Sequence, residues 1–167
     1  IEHYLDLLQP LGITSPAVRF NLPEREENGQ MADEFLRTSG LTAGNFVLLN
    51  PGAGWPSKIW PAERYGELAR HLAKKHGLAS LAAWGVPSES PLAEQIVATS
   101  GSSGSHARLA PPTSMTEFAA LCRRAALFVG SDTGPMHLAV AVGVPTISLH
   151  GPSRAEWCGA YGPDNIR

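Results

Sequence analysis

The sequence predicts an α/β protein with a parallel sheet covered by helices on both faces. Three observations carry this. From residue 45 onward, short apolar runs alternate with amphipathic stretches of helical length, the pattern of successive βαβ units. The apolar runs are almost unbroken, as strands buried on both faces require. Start and stop signals punctuate the pattern: Pro61, Pro91 and Pro135 stand at helix starts, and Gly77 follows a helix end.

The elements follow in order. Tyr4, Leu5, Leu7 and Leu8 predict a short amphipathic helix stopped by Pro10. "VRFNLPEREENGQ" (18–30) reads as a brief strand-like piece and then a charged loop, and Met31–Thr38 as a helix ended by "SG". Residues 1–40 are therefore read as a connector or peripheral segment, and residues 41–167 as the main domain. There, "NFVLLN" (45–50) is a buried strand, 61–77 a helix, "LASLAAWG" (78–85) a strand and 90–100 a helix. "GSSGS" (101–105) is a flexible loop, with a short strand near 106–110. Ser114 and Glu117 have capping-box spacing at the head of a helix over 114–124. A strand at 126–130, a helix at 135–143 and a strand at 145–151 complete the series.

Composition narrows the function. The chain has 167 residues, 43% hydrophobic and 17% charged, enough for one domain with a core. A formal charge of -2 without a dense Lys/Arg run argues against nucleic acid or anionic lipid as a partner. Cys122 and Cys158 lack metal-site spacing and fit a reducing, cytoplasmic setting. No apolar stretch is long enough to span a bilayer. The first residues carry neither a signal-peptide pattern nor an initiator Met, so a segment of a longer protein is expected.

Ligands of open α/β sheets bind beyond the carboxyl ends of the strands. After the first strand comes "NPGAGWPSKIWP", where Gly52 and Gly54 allow close backbone approach or positive φ. Lys58 follows ahead of a helix. This suits a phosphate, but it is neither a dinucleotide fingerprint, which would need Gly at Ser57, nor a Walker A loop. Taken alone, Lys58 fits a solvated turn equally well. Glu89, after the second strand, fits a helix-dipole partner or an acceptor for ribose hydroxyls. The stretch "SDTGPMH" (131–137) stands where the next strand becomes a helix. Pro135 makes Thr133 or Gly134 the N-cap and leaves Asp132 uncommitted. Gly134 and the first helical amides can approach an anion, with His137 close by.

"NPGAGWPSKIWPAERYGELA", "WGVPSE" and "TSMTEFAALCRRAALFVGSDTGPMHLAVAVGVPTISLHGPS" together resemble the C-terminal domain of glycosyltransferase family 9, which contains the ADP-heptose:lipopolysaccharide heptosyltransferases. The similarity runs from about Asn45 to about Gly162 in unchanged order. It implies the donor-binding, Rossmann-like half of a GT-B enzyme over residues 41–167, with the acceptor domain and its general base elsewhere. It implies inverting, metal-independent transfer from a nucleotide-diphospho-sugar, most simply ADP-heptose, to a lipid-linked saccharide acceptor of the lipopolysaccharide core. No cofactor or metal is implied. Localisation would be cytoplasmic, with peripheral association at the inner face of the membrane. By position, Lys58 meets the diphosphate or sugar and Glu89 the ribose. Asp132, Thr133, Gly134 and His137 hold the sugar and diphosphate, and Met115 lines the base pocket. Gly52, Ala53 and Gly54 stand where heptosyltransferases often carry hydroxyl residues, so backbone amides would serve instead.

Lys58 and the amides around Thr133 and Gly134 would offset the charge that builds on the departing diphosphate. Asp132 would accept from sugar hydroxyls or orient Lys58. Two other readings remain open here: a transferase using another nucleotide sugar, and an α/β hydrolase in which Asp132 of "GSDTG" is the nucleophile.

Overall fold

The computed structural model describes residues 2–101 and 106–167; the rest of the expected 101–105 loop lies outside the described residues. Five parallel strands, β1 (Phe46–Asn50), β2 (Ala79–Ala82), β3 (Ala107–Leu109), β4 (Leu127–Ser131) and β5 (Thr146–Leu149), form one sheet in the order β3-β2-β1-β4-β5. Register is fixed on both sides of β1: Leu48 lies opposite Leu81 of β2 and Phe128 of β4.

β1 is buried along its whole length, and its alternating side chains serve two layers. Phe46 and Leu48 face one core with α2 (Glu26–Ser39), α5 (Met115–Arg124) and α6 (Gly134–Ala141). Val47 and Leu49 face the other, with α3 (Ala62–His76) and α4 (Ser90–Thr99). This two-sided demand is why the strand reads as an unbroken apolar run.

Local chemistry sets the helix ends. Pro61 caps α3, and Gly77 ends it at φ 66° in the left-handed region. The capping box heads α5: Ser114 Oγ accepts from the Glu117 amide, and the Glu117 carboxylate accepts from Ser114 N at 2.7 Å. Among the described residues no helix is long and apolar enough to cross a membrane.

The first 40 residues differ from the sequence reading in detail. The helix expected at 31–38 begins at Glu26, so much of the charged loop is helical. Glu26 and Glu27 suit its positive end. Gly29 is tolerated because Arg124 of α5 donates to its carbonyl at 3.2 Å, and a Cβ there would lie 3.3 Å from that guanidinium. Ala32 and Leu36 of α2 enter the core. The strand-like "VRFN" belongs to no strand. Its surroundings are helix and loop side chains: Arg123 of α5 takes the Leu22 carbonyl, and Phe20 meets Tyr161 edge to face at 6.3 Å. The opening helix, α1 (Glu2–Leu5), continues as a 3₁₀ turn over Asp6–Leu11 that accommodates Pro10 and ends at Gly12.

Strand order reverses between β1 and β4. From β1 the chain proceeds to β2 and β3 on one side; it then crosses over to β4 and β5 on the other. The loops that leave β1 and β4 lead to helices packed on opposite sides of the sheet, the place where open α/β sheets generally bind ligands.

Packing between α3 and α4 depends on Gly66. A Cβ there would lie 2.1 Å from Thr99 Oγ1 and 2.9 Å from the Thr99 backbone carbon. Gly66→Ala is expected to cost about 1–3 kcal/mol of unfolding free energy, read as a lower urea midpoint with unchanged slope.

Candidate functional site at the β1/β4 switch point

Two loops build the site, and each is held by buried polar groups at a strand end. Asn50, the last residue of β1, donates from Nδ2 to the Gly52 carbonyl at 3.3 Å. Tyr65 of α3 donates to the Asn50 carbonyl at 3.1 Å. The chain then turns through a 3₁₀ segment, Pro56–Lys58. Ser131, the last residue of β4 and fully buried, donates to the Lys58 carbonyl at 2.6 Å. The backbone of Lys58 is thus fastened to the neighbouring strand, 73 residues away in sequence.

With its backbone fixed, Lys58 reaches Asp132. Nζ lies 2.7 Å from Oδ2 and 3.3 Å from the Asp132 carbonyl. The pair is half sequestered, with side-chain exposures of 22% for Lys58 and 9% for Asp132. Two of the three ammonium protons are engaged by these contacts among the described residues, leaving the third for a ligand. His137 Nε2 approaches the other carboxylate oxygen, Oδ1, at 3.4 Å. Burial raises the Asp132 pKa, but hydrogen bonds from Lys58 and Ser153 and the charges of Lys58 and His137 outweigh it. The net result is a carboxyl held below its ordinary value.

Thr133 occupies the N-cap of α6 in extended conformation, so the cap falls on one of the two residues expected. Its hydroxyl donates backward to the Ser131 carbonyl at 3.2 Å and makes no side-chain cap. Pro135 has no N–H. The helix therefore begins with uncapped amides beside Gly134, where an added Cβ would meet nothing within 4 Å. An open, positively polarised helix end stands next to an ammonium group.

Glu89 closes the other flank. Its Oε2 accepts from Gly85 N at 2.9 Å at the end of a 3₁₀ turn, Pro87–Glu89. The carboxylate lies against Gly52, where a Cβ would come within 2.2 Å of Oε1. Gly52 is thus required by close approach rather than by backbone angle; neither Gly52 nor Gly54 has positive φ. Ala53 is half-buried and Gly54 exposed in the same loop. Met115 stands apart at the head of α5, 54% exposed. With Leu22, Pro23, Ala119 and Leu138 it lines a cavity of about 170 Å³.

Sequence reasoning missed the residues that hold these side chains in place. Asn50 and Ser131 were legible only as polar residues closing apolar runs. His150 was legible as a residue at the end of the last strand, whereas Ser153, on the loop after β5, carried no signal for its contact with it. His150 bridges Ser148 Oγ at 3.0 Å and Ser153 Oγ at 3.3 Å.

A lysine–aspartate pair beside an open helix end at the switch point of a parallel sheet is an arrangement whose chemistry suits an anionic group. The family model described as glycosyltransferase family 9 (heptosyltransferase) matches residues 1–166. The chain belongs to that family. It is similar to lipopolysaccharide heptosyltransferase 1 of Pseudomonas aeruginosa, 31% identical over 150 residues that make up 90% of this chain and 41% of that protein. The structure is similar to a family 9 glycosyl transferase of Veillonella parvula, with TM-score 0.83 and 27% identity over 99% of this chain and 47% of the other. It is also similar to Escherichia coli heptosyltransferase WaaC solved with ADP, with TM-score 0.71 and 25% identity over 95% and 46%. WaaC solved with ADP-2-deoxy-2-fluoro heptose matches with TM-score 0.66 and 25% identity over 95% and 45%. The chain spans less than half the length of these relatives. Both carboxylate oxygens of Asp132 face a basic side chain, Oδ2 toward Lys58 and Oδ1 toward His137.

The ion pair has a pH signature. The Asp132 pKa is lowered in the folded state, so its contribution is present above the ordinary value of 3.8 and lost as pH falls through the lower folded value. Lys58→Met is expected to cost on the order of 1–2 kcal/mol near neutral pH. That deficit should shrink in urea titrations as pH falls below 3.8, where the unfolded chain takes up the proton first, and vanish once Asp132 of the folded parent chain protonates. Gly52→Ala should behave differently. It displaces only the flexible end of Glu89, so the urea midpoint should stay close to that of the parent chain while any ligand contact of Glu89 is lost.

Proposed function

We propose that this chain is the donor-binding half of a heptosyltransferase that uses ADP-heptose and transfers heptose to a saccharide acceptor of the lipopolysaccharide core. One observation carries the reading. In a member of family 9, the Lys58–Asp132 pair and the open N-terminus of α6 converge at the switch point. The ADP and ADP-sugar complexes of WaaC support the choice of donor.

In this reading the diphosphate lies between Lys58 Nζ and the amides at Thr133 and Gly134. Glu89 accepts from ribose hydroxyls, and Met115 borders the base. Gly52, Ala53 and Gly54 present backbone rather than hydroxyl groups to the donor. Asp132 orients Lys58, and His137 stands at the sugar side. As the glycosidic bond breaks, charge grows on the β-phosphate oxygens. An ammonium already held in place stabilises that charge without reorganising. Transfer is proposed to be inverting and metal-independent, with no cofactor. The general base and the acceptor site belong to the other half of the enzyme. The setting is proposed to be cytoplasmic, with peripheral association at the inner membrane face.

Calorimetric titration of this chain with ADP, UDP and GDP tests the reading. ADP should bind selectively with Kd on the order of 10–1000 μM, as an isolated half-site allows. Lys58→Ala should weaken binding at least tenfold. Selective binding of UDP or GDP would point to a transferase with another nucleotide sugar. Absence of all binding would contradict a donor site formed by these residues alone.

A further inference from the structure

We propose that the cavity beneath the 22–28 segment is a ligand site in its own right, built for an uncharged planar ring with an amide-type edge, as in a nucleobase or an aromatic carboxamide. Its residues do not include the Lys58–Asp132 pair, and its existence does not rest on the donor reading.

The cavity is held open by its own framework. Its floor is α5 and α6, through Met115, Ala119 and Leu138, and its roof is Leu22 and Pro23. Two consecutive arginines of α5 tie the roof down on either side of Pro23. Arg123 donates to the Leu22 carbonyl, and Arg124 Nη1 donates to Glu24 Oε1 at 2.8 Å. Protein interiors leave few voids larger than a water molecule. This one measures about 170 Å³. An engineered apolar cavity of about 150 Å³ in another protein binds benzene, so the space suits one aromatic ring.

The polar end of the cavity indicates what kind of ring. Asn28, in the first turn of α2, is only 8% exposed and lines the cavity. Its carboxamide makes no hydrogen bond among the described residues; only its backbone amide is bonded, to the Arg25 carbonyl. The Nε–H of Arg123 is buried and also lacks an acceptor, with Glu24 Oε1 4.0 Å away and already bonded to Arg124. Unpaired buried groups oppose folding, so packing alone gives no reason for an asparagine here. A carboxamide offers an acceptor and donors side by side, and it pairs with a ligand edge that offers the reverse. Arg123 adds a donor to the same end. The wall carries one acid, Glu24, and one base, Arg123, and so has no net charge with which to attract an ion. Met115 and Thr116 bring the rim to the head of α5. The ring can therefore come from the base of a nucleotide bound at the carboxyl edge or from a separate small molecule.

The test is an NMR titration of this chain with nicotinamide, followed on the Asn28 side-chain NH2 signals, which Asn28→Leu assigns by their loss. Binding to the parent chain should saturate, with Kd on the order of 1–10 mM for so small a ligand. Ala119→Leu, which fills the space, should abolish it. Asn28→Leu, followed on the Met115 methyl, should weaken it about tenfold while the urea midpoint does not fall. A parent chain that shows no saturable shift, or unchanged affinity in either variant, would overturn the proposal. A lower urea midpoint in Asn28→Leu would make the amide structural and overturn it as well. If Ala119→Leu does not fold, Asn28→Leu decides alone. Repeating the titration with saturating ADP separates the two sources. A nucleotide base in the cavity would shift the Asn28 NH2 signals by itself and compete with nicotinamide; a site for a separate molecule would bind nicotinamide equally with and without ADP. Either result supports the site and names its source. Failure of ADP to bind would count against the donor reading instead, and the nicotinamide titrations would still decide the cavity.

Discussion

The proposed donor site depends on one constraint: the Lys58 ammonium must be held at the β1/β4 switch point without being neutralised beyond use. Asp132 meets the first demand at 2.7 Å, and its partial burial keeps the pair tight. The second demand is met by geometry. The aspartate occupies one side of the ammonium, and the open end of α6 lies beside it. An isolated pair of this kind stabilises a fold only modestly, because desolvation offsets much of the attraction. Its value here is positional. A lysine on a free turn would lose side-chain entropy on binding an anion, whereas Lys58 has already lost it on folding.

That arrangement extends through the loops to the sheet. Ser131 fixes the Lys58 carbonyl, Asn50 fixes Gly52, and Tyr65 fixes Asn50. Each link ties a loop to a strand end buried in the core. The buried Tyr65 ring also packs edge to face on Trp60 at 4.7 Å, joining the loop to α3. Rigidity at the carboxyl edge is therefore inherited from β1 and β4, the strands that the hydrophobic core holds most firmly. On the far side of the site, the His150–Ser153 turn braces the same lysine loop.

Much of this was legible in the sequence. Unbroken apolar runs identified the central strands because two cores demand side chains from both faces of β1. "SDTGPMH" marked the start of α6 because Pro135 fixes the helix start and so frees Asp132 from capping. The resemblance to family 9 named Lys58, Glu89 and the remaining site positions. What stayed hidden was long-range. Nothing local shows that Ser131 bonds the Lys58 backbone, or that Gly52 makes room for a carboxylate 37 residues later. The head of α2 was misread because Asn28 and Gly29 look like loop residues; the approach of the Glu24 carboxylate and of Arg124 from α5 explains a glycine there. Pairing at a sheet edge was likewise invisible, so the exposed "VRFN" segment passed for a strand.

The most direct test of the central claim is a crystal structure of this chain with ADP. The account predicts the β-phosphate within hydrogen-bonding distance of Lys58 Nζ and of the amides at Thr133 or Gly134, with the Lys58–Asp132 contact retained. A diphosphate bound elsewhere, or a Lys58 that leaves Asp132 and still makes no contact with it, would contradict the claim that this pair is built to receive the donor.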